Sequence, residues 1–498
     1  PSADFSCWWG ADRRRRHAAH AASRRGGTRN RPKDHTGKLK KMMKHEGTKY
    51  RRLVRASARL AGRWLALIGL CAMAAGAQET NAPLKLNRAI EIALSRSPDA
   101  LEASWREAEA AAQSDLARSG RWPILKARAA YDSYTEDQRL SQATTAGEAG
   151  VFGSDVLAGE LAFTLQLYTG GRVTSGIKAA DLFRQAAEGQ LTRTSEAVVF
   201  NVTSLFYGML AQREVIRSVE SAARAMEEQS RAIAEQVAAQ KAARVDLLRV
   251  EVRLATLRES VTRERNALTV QQRAFAAVLG WEDPAPPVVV GELPAPETVT
   301  APDPTNSLAI ALANRADYSA ARQVVAANEH ALATTKSGYR PTVSIQAAYG
   351  ERWMPDPSKP ATGADNEHGV GRVGIVAEWP LFEGGATRSR VHEQAAKLGA
   401  ARERVRKLKL QVRYEIETAM ADFVSARERV ETTGKAVEQA RETFRIIKEK
   451  YDLGKGTMTD VLDAQAALVE TETADARALA DLVLARARYQ LAMGGGME

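Results

Sequence analysis

The stretch "AEWPLFEGGATR", Ala377 to Arg388, has an echo 214 positions upstream in "FTLQLYTGGRVT", Phe163 to Thr174. In both, an alternating apolar run ends in Leu, an aromatic residue, one polar residue and Gly-Gly. A long Ala- and charge-rich segment then follows. Glycine tolerates the left-handed backbone that a sharp strand-to-helix bend needs, so Gly170, Gly171, Gly384 and Gly385 read as hinges. Trp379 and Phe382 read as an aromatic pair at the end of a strand; Tyr168 stands alone in the echo.

The echo belongs to a duplication. "IALSRSPDALEA" from Ile92 matches "IALANRADYSAA" from Ile310 at an offset of 218, which also pairs Pro123 with Pro341 and Tyr131 with Tyr349. Beyond a loop four residues shorter in the second copy, the offset becomes 214 and pairs Asp246 with Asp460 and Gly280 with Gly494. The repeats span 84–280 and 307–494. Between them, 281–306 holds seven of the chain's 17 prolines and is expected to be a connector, with a short strand at Val288–Val290.

Within the first repeat, period-2 alternation predicts strands over 123–134 and 157–168. The second repeat predicts strands over 341–350 and 371–382. Runs of about ten such residues suit either a half-buried soluble sheet or tilted membrane strands. The helical segments differ from those of a compact domain. Val198, Val202, Leu205, Met209, Gln212 and Ile216 open a seam that steps by 4 and 3 as far as Val237, and Val412 to Tyr451 repeats it. A sustained 3.5-residue period means coiled-coil packing. Helices are expected over 86–118, 172–237 and 246–279, then over 307–336, 386–453 and 459–493. Each unit therefore reads helix, two strands, long helix, turn, helix.

The formal charge of +11 suggests a nucleic-acid partner, but its distribution does not. Residues 1–77 hold 19 Lys/Arg against 4 Asp/Glu, leaving 52 against 56 in the remainder, so no nucleic-acid partner is expected. Residues 42–77 read as a signal peptide. Arg51 to Arg63 form the basic region, "WLALIGLCAMAAG" the apolar one, and Ala75-Gly76-Ala77 a small-x-small cleavage site. Arg51-Arg52 hints at twin-arginine export within a poorly fitting context, and Leu70 argues against lipidation of Cys71. Residues 1–41 are expected to be upstream sequence outside the native chain. Cleavage after Ala77 removes both cysteines, Cys7 and Cys71, which excludes disulfide and thiol chemistry. Three scattered histidines remain, and neither a P-loop nor a nucleophile motif is present. No enzyme activity, metal or cofactor is expected.

Four strands cannot close a barrel, and open edges are not tolerated in lipid, whereas three chains would pool twelve strands. The duplication, "PLFEGG" at Pro380–Gly385 and "YDLGKGTMTDVLDAQAAL" at Tyr451–Leu468 together resemble the TolC-type outer-membrane efflux proteins across nearly all of 84–494. The resemblance implies a homotrimer in outer-membrane lipid. Its twelve-stranded barrel would continue as a long α-helical coiled-coil tunnel in the periplasm of a Gram-negative-type envelope. It also implies a passive exit duct for tripartite efflux or type I secretion, joined to an inner-membrane pump through a periplasmic adaptor. The alternative is a soluble periplasmic coiled-coil adaptor or scaffold.

"TMTD", Thr457–Asp460, resembles a capping box, so Asp460 has a purely structural reading as a helix-terminal carboxylate. Asp463 lies three residues on, on the same helical face. The resemblance instead implies that Asp460 and Asp463 form the pore constriction, as two stacked carboxylate rings in a trimer. It further implies that Asp246 and Tyr451 hydrogen-bond neighbouring helices when the gate is closed. Tyr451 also reads simply as a seam residue. Gly456 departs from the basic residue many relatives carry in that latch.

Overall fold

The computed structural model describes residues 83–140, 151–299, 301, 305–356 and 367–495. The expected upstream segment and signal peptide lie outside the described residues.

The chain follows its own duplication. The first repeat supplies α1 (Leu86–Arg96), α2 (Pro98–Ser119), β1 (Ile124–Arg139), β2 (Phe152–Tyr168), α3 (Arg172–Ala238) and α4 (Arg244–Leu279). The second supplies α5 (Ser307–Asn314), α6 (Ala316–Lys336), β3 (Thr342–Trp353), β4 (Glu367–Glu378), α7 (Ala386–Asp452) and α8 (Met458–Met493). α3 and α7 have 67 residues each, about 100 Å at 1.5 Å per residue. None of the seam positions named above is exposed. At the far end of the long helices, α3, α4, α7 and α8 share one apolar cluster. Val219, Met226 and Ile233 of α3 meet Val250 and Leu254 of α4 and Met458 and Val461 of α8, with Phe444 and Ile447 of α7 against them.

At the other end, α2 packs on α3, α3 on α6, and α6 on α7. The strands form one antiparallel sheet in the order β1-β2-β3-β4, with β1 and β4 as its two edges. The connector runs along the helices. Val288–Val290 forms a single parallel bridge with Leu84, and Val289 is buried beside Phe206 and Met209.

The helix expected over 86–118 is broken at Ser97 (φ −58°, ψ 130°), because a residue before proline is pushed out of the α region and Pro98 follows. Its counterpart over 307–336 breaks at Arg315 (φ −66°, ψ 118°) with no proline to force it. Here the side chain occupies the break. Arg315 is 1% exposed and donates to Asp317 at 3.0 and 2.7 Å and to Glu415 at 2.5 Å. Sequence periodicity ran through both breaks. It also carried the last strand to 382, whereas β4 ends at Glu378, before Pro380 can interrupt the ladder.

Candidate functional site

Three features bear on function: one face of the sheet, the strand-to-helix junctions, and the tips of the helical hairpins.

The pleat sorts the strands into two faces. Leu125, Phe163, Ala347 and Val373 lie in one continuous register row, and Ala127, Leu161, Tyr349 and Gly371 in the next. The opposite face carries Lys126, Ala162, Ala348 and Arg372, with Arg128 directly across from Glu160. The apolar rows are open: Val373 is 82% exposed and Leu125 69%. Among the described residues, no layer covers this four-strand apolar face, and contiguous bare apolar surface is unusual on a soluble monomer. Among the described residues, no helix is long and apolar enough to cross a membrane.

At the junctions, Gly170 and Gly171 have φ of 63° and 91°, and Gly384 and Gly385 have 58° and 84°. All four occupy the left-handed region, and Gly171 and Gly385 are the N-terminal caps of the long helices. The two copies are sterically unlike. A Cβ on Gly170 would lie 2.8 Å from Cβ of Arg340, whereas Gly384 faces open space. Arg340 Nη1 donates to the Gly170 carbonyl at 3.1 Å, and Trp379 Nε1 to the Tyr339 carbonyl at 3.1 Å. Trp379 and Phe382 are both largely exposed, just beyond the last strand.

At the second hairpin tip, Thr457 caps α8. Its Oγ1 accepts from Asp460 N at 3.2 Å, while Asp460 Oδ2 accepts from Thr457 N at 3.1 Å and Oγ1 at 2.6 Å. Those bonds from Thr457 hold the Asp460 carboxyl below the usual carboxylate range. Asp463 is exposed one turn further on. It lines a shallow cleft of about 580 Å³ between α4 and α8 with Arg249, Arg253, Val252 and Leu462. Arg249 lies 3.8 Å from Asp246 and donates to Thr459 at 3.0 Å, tying the two tips together. Tyr451 is half-buried against the apolar cluster. Burial raises its hydroxyl pKa first, and the charges of Asp246 and Asp452 add to this. Asp246 and Tyr451 are thus near one another, and among the described residues no hydrogen bond joins them. The tips differ in shape: Gly454 (φ 71°) ends α7, whereas Gln240 (φ 58°) turns the other hairpin without a glycine.

The charged group around Arg315 was not singled out from the sequence. Arg193 of α3 lies 3.6 Å from Asp317 and 4.0 Å from Glu415, and donates to the Leu491 carbonyl at 2.8 Å. Four helices, α3, α6, α7 and α8, thereby meet at one set of charges. The available signal was an arginine in an apolar run, standing where the first repeat has Ser97.

Comparison with known proteins places this geometry. The model of the outer membrane efflux protein family matches residues 89–281 and 308–495, one block for each repeat. The chain belongs to the outer membrane efflux protein family. It is 29% identical over 207 residues to the outer membrane efflux protein BepC of Brucella suis. That match covers 42% of this chain, and the chain spans 42% of that relative's length. Among solved structures, the outer membrane protein VceC of Vibrio cholerae aligns with a TM-score of 0.66 at 20% identity, over 83% of this chain and 97% of that one. The open-state MtrE outer membrane channel of Neisseria gonorrhoeae aligns at 0.67 and 18%, over 83% and 89%. The fold is therefore that of the TolC-type channels, a strand domain on a helical tunnel, and membership places the chain in the outer membrane. The soluble-adaptor alternative falls with the family match.

Proposed function

We propose that the protein is the passive exit duct of a tripartite efflux or type I secretion system, gated at the tips of its helical hairpins. The observation that carries this reading is the four-stranded sheet, with one bare apolar face and two open edges, set on helices about 100 Å long. In lipid every strand edge must be paired, so copies must pool their strands. Three copies give a twelve-stranded barrel, within the usual range. The duplication supplies the joining rule. Inside one chain the first repeat meets the second through β2 with β3 and α3 with α6. The same surfaces recur at the chain's ends, as β4 with β1 and α7 with α2 of the next copy, which is a head-to-tail ring.

Asp460 and Asp463 are then repeated around the axis as carboxylate rings at the narrow end, favouring cations. Asp246 and Tyr451 lie at the same level and act in holding the closed state. A periplasmic adaptor engages the tips and the pump supplies the energy; the protein itself does no catalysis. Two measurements test this. Recovery from cells as a soluble monomer rejects the duct. If it is a duct, Asp460→Asn with Asp463→Asn reduces cation preference in planar-bilayer conductance, and unchanged selectivity refutes the constriction assignment.

A further inference from the structure

The duplication places two equivalent grooves on the helices, and among the described residues the chain fills one of them. In the first repeat, the connector crosses α3 as an extended segment. Leu84 N donates to the Val288 carbonyl at 2.8 Å, and Val290 N to the Leu84 carbonyl at 2.9 Å. Its side chains alternate accordingly: Val289 is 1% exposed, whereas Val288 and Val290 are 53% and 45% exposed. Val289 clusters with Phe206 and Leu210, and Gly291 lies against the same two side chains. Arg213 Nη1 donates to the Val289 carbonyl and pins the segment in place.

The second repeat keeps the floor of this groove. The offset of 214 turns Val202, Phe206, Leu210 and Phe275 into Ile416, Met420, Val424 and Tyr489. The offset of 218 turns Ile90 and Leu94 into Leu308 and Leu312. All six replacements are apolar or aromatic, and together they line a cleft of about 1140 Å³ between α5 and α7. Among the described residues, nothing covers it. Leu210 is 4% exposed under the connector, whereas its counterpart Val424 is 45% exposed. Leu84 corresponds to position 302, outside the described residues.

The polar anchor is kept as well. Arg213 corresponds to Arg427, which stands three residues past Val424 just as Arg213 stands three past Leu210. Arg427 is exposed and, among the described residues, makes no hydrogen bond or ion pair. Glu431, one turn on, is bonded to Lys435 at 2.8 Å instead. Arg413 on the rim is likewise engaged, by Glu417 at 2.8 Å. An apolar trough beside an unengaged guanidinium is what the first groove would be without Val288–Val290.

We propose that the α5–α7 groove docks an extended, β-branched segment of a separate protein, held as the connector is held in the first repeat. One side chain enters over Met420 and Val424, its two neighbours face solvent, and Arg427 donates to the carbonyl of the inserted residue. The guanidinium fixes the register, and the apolar floor selects Val or Ile over a charged residue. A second copy is a poor source of such a segment, because its own Val289 is already seated at home, 1% exposed. The groove is complete within one chain, so docking does not depend on closure of a ring or on the duct reading.

A fluorescein-labelled peptide of residues 286–293, PPVVVGEL, is the probe, followed by anisotropy as the full chain in detergent is titrated in. One peptide per chain is expected to bind saturably, and the same peptide carrying Val289→Asp not to bind. In the chain, Val424→Arg is expected to abolish binding and Arg427→Gln to weaken it about tenfold. Both side chains are exposed, so helix content by circular dichroism should stay unchanged. No saturable binding, or equal affinity in the parent and Val424→Arg, overturns the proposal. In cells, a photoreactive benzoyl-phenylalanine in place of Ala421, exposed on the groove wall, identifies the occupant. The expected adduct joins another protein through an extended apolar segment and diminishes with Arg427→Gln. An adduct of two copies, a cross-link within one chain, or no adduct overturns the separate partner.

Discussion

Replacing Arg315 with Met tests whether the helix break in the second repeat is held by charge. The guanidinium is 1% exposed, bidentate to Asp317 and bonded to Glu415, whose side chains are 15% and 29% exposed. Methionine fills much of the same volume, so the main loss is the cation. Breaking a buried pair by removing one partner costs about 3–5 kcal/mol, because the other charge stays behind. Arg193, 3.6 Å from Asp317, remains and argues for the lower end of that range. The sign with pH is fixed by Asp317. Burial alone pushes its carboxyl up, but the hydrogen bonds and charge of Arg315, with Arg193 and the Tyr318 N–H, outweigh burial and hold it below its ordinary value. A depressed carboxylate stabilises the fold above its unfolded pKa, about 3.9, and that contribution is lost as pH falls through the folded value. In Arg315→Met the burial effect is no longer opposed by Arg315, so the carboxyl is expected to take up a proton more readily and relieve the penalty. The deficit should therefore be largest near pH 7 and shrink toward pH 4. Denaturant midpoints from helical circular dichroism, at matched protein concentration because assembly contributes, measure it. A loss under 1 kcal/mol at pH 7, or one independent of pH, refutes the argument.

The two junctions should respond unequally to one substitution. Gly384→Ala meets only the left-handed backbone cost, about 1–2 kcal/mol, whereas Gly170→Ala also drives a methyl into Arg340; equal melting shifts would contradict this. Thr457→Ala removes the hydroxyl half of the α8 cap, leaving the bond from the residue-457 N–H to Asp460, and should speed amide exchange at Met458 to Asp460 while leaving the α4 terminus unchanged. Trp379→Ala deletes the bond to the Tyr339 carbonyl and an aromatic at the strand end, and should lower the fraction inserted into liposomes without changing helix content in detergent.

The order of elements was legible because each was written twice. One Gly-Gly turn is a weak signal, but two at a fixed offset, each between a period-2 run and a 3.5-period run, define strand, bend and coil. The breaks at Ser97 and Arg315 were hidden because the apolar pattern continues across them, and only Pro98 gave a local sign of either. The charge cluster was hidden for another reason: Arg193, Arg315, Asp317 and Glu415 meet only after four helices have packed. The role of Asp460 was half legible. Its spacing from Thr457 announces a cap, whereas a pore role depends on an axis that a single chain does not contain.

Capping and pore lining need not compete at Asp460. The cap engages Oδ2, which accepts from both the backbone and the hydroxyl of Thr457, and it holds the carboxyl below the usual carboxylate range. An ionised carboxylate in a fixed rotamer is what a cation-selective ring requires, since three like charges converging on an axis otherwise raise one another's pKa. Thr457→Ala separates the two roles. It leaves the carboxylate and the bond from the residue-457 N–H in place and removes the hydroxyl, the stronger of the two donors that lower its pKa, so cation preference should fall off at a higher pH than in the parent channel, while conductance at neutral pH changes little. If the cap were the whole role of Asp460, the substitution would loosen the tip and leave the pH dependence of selectivity where it was.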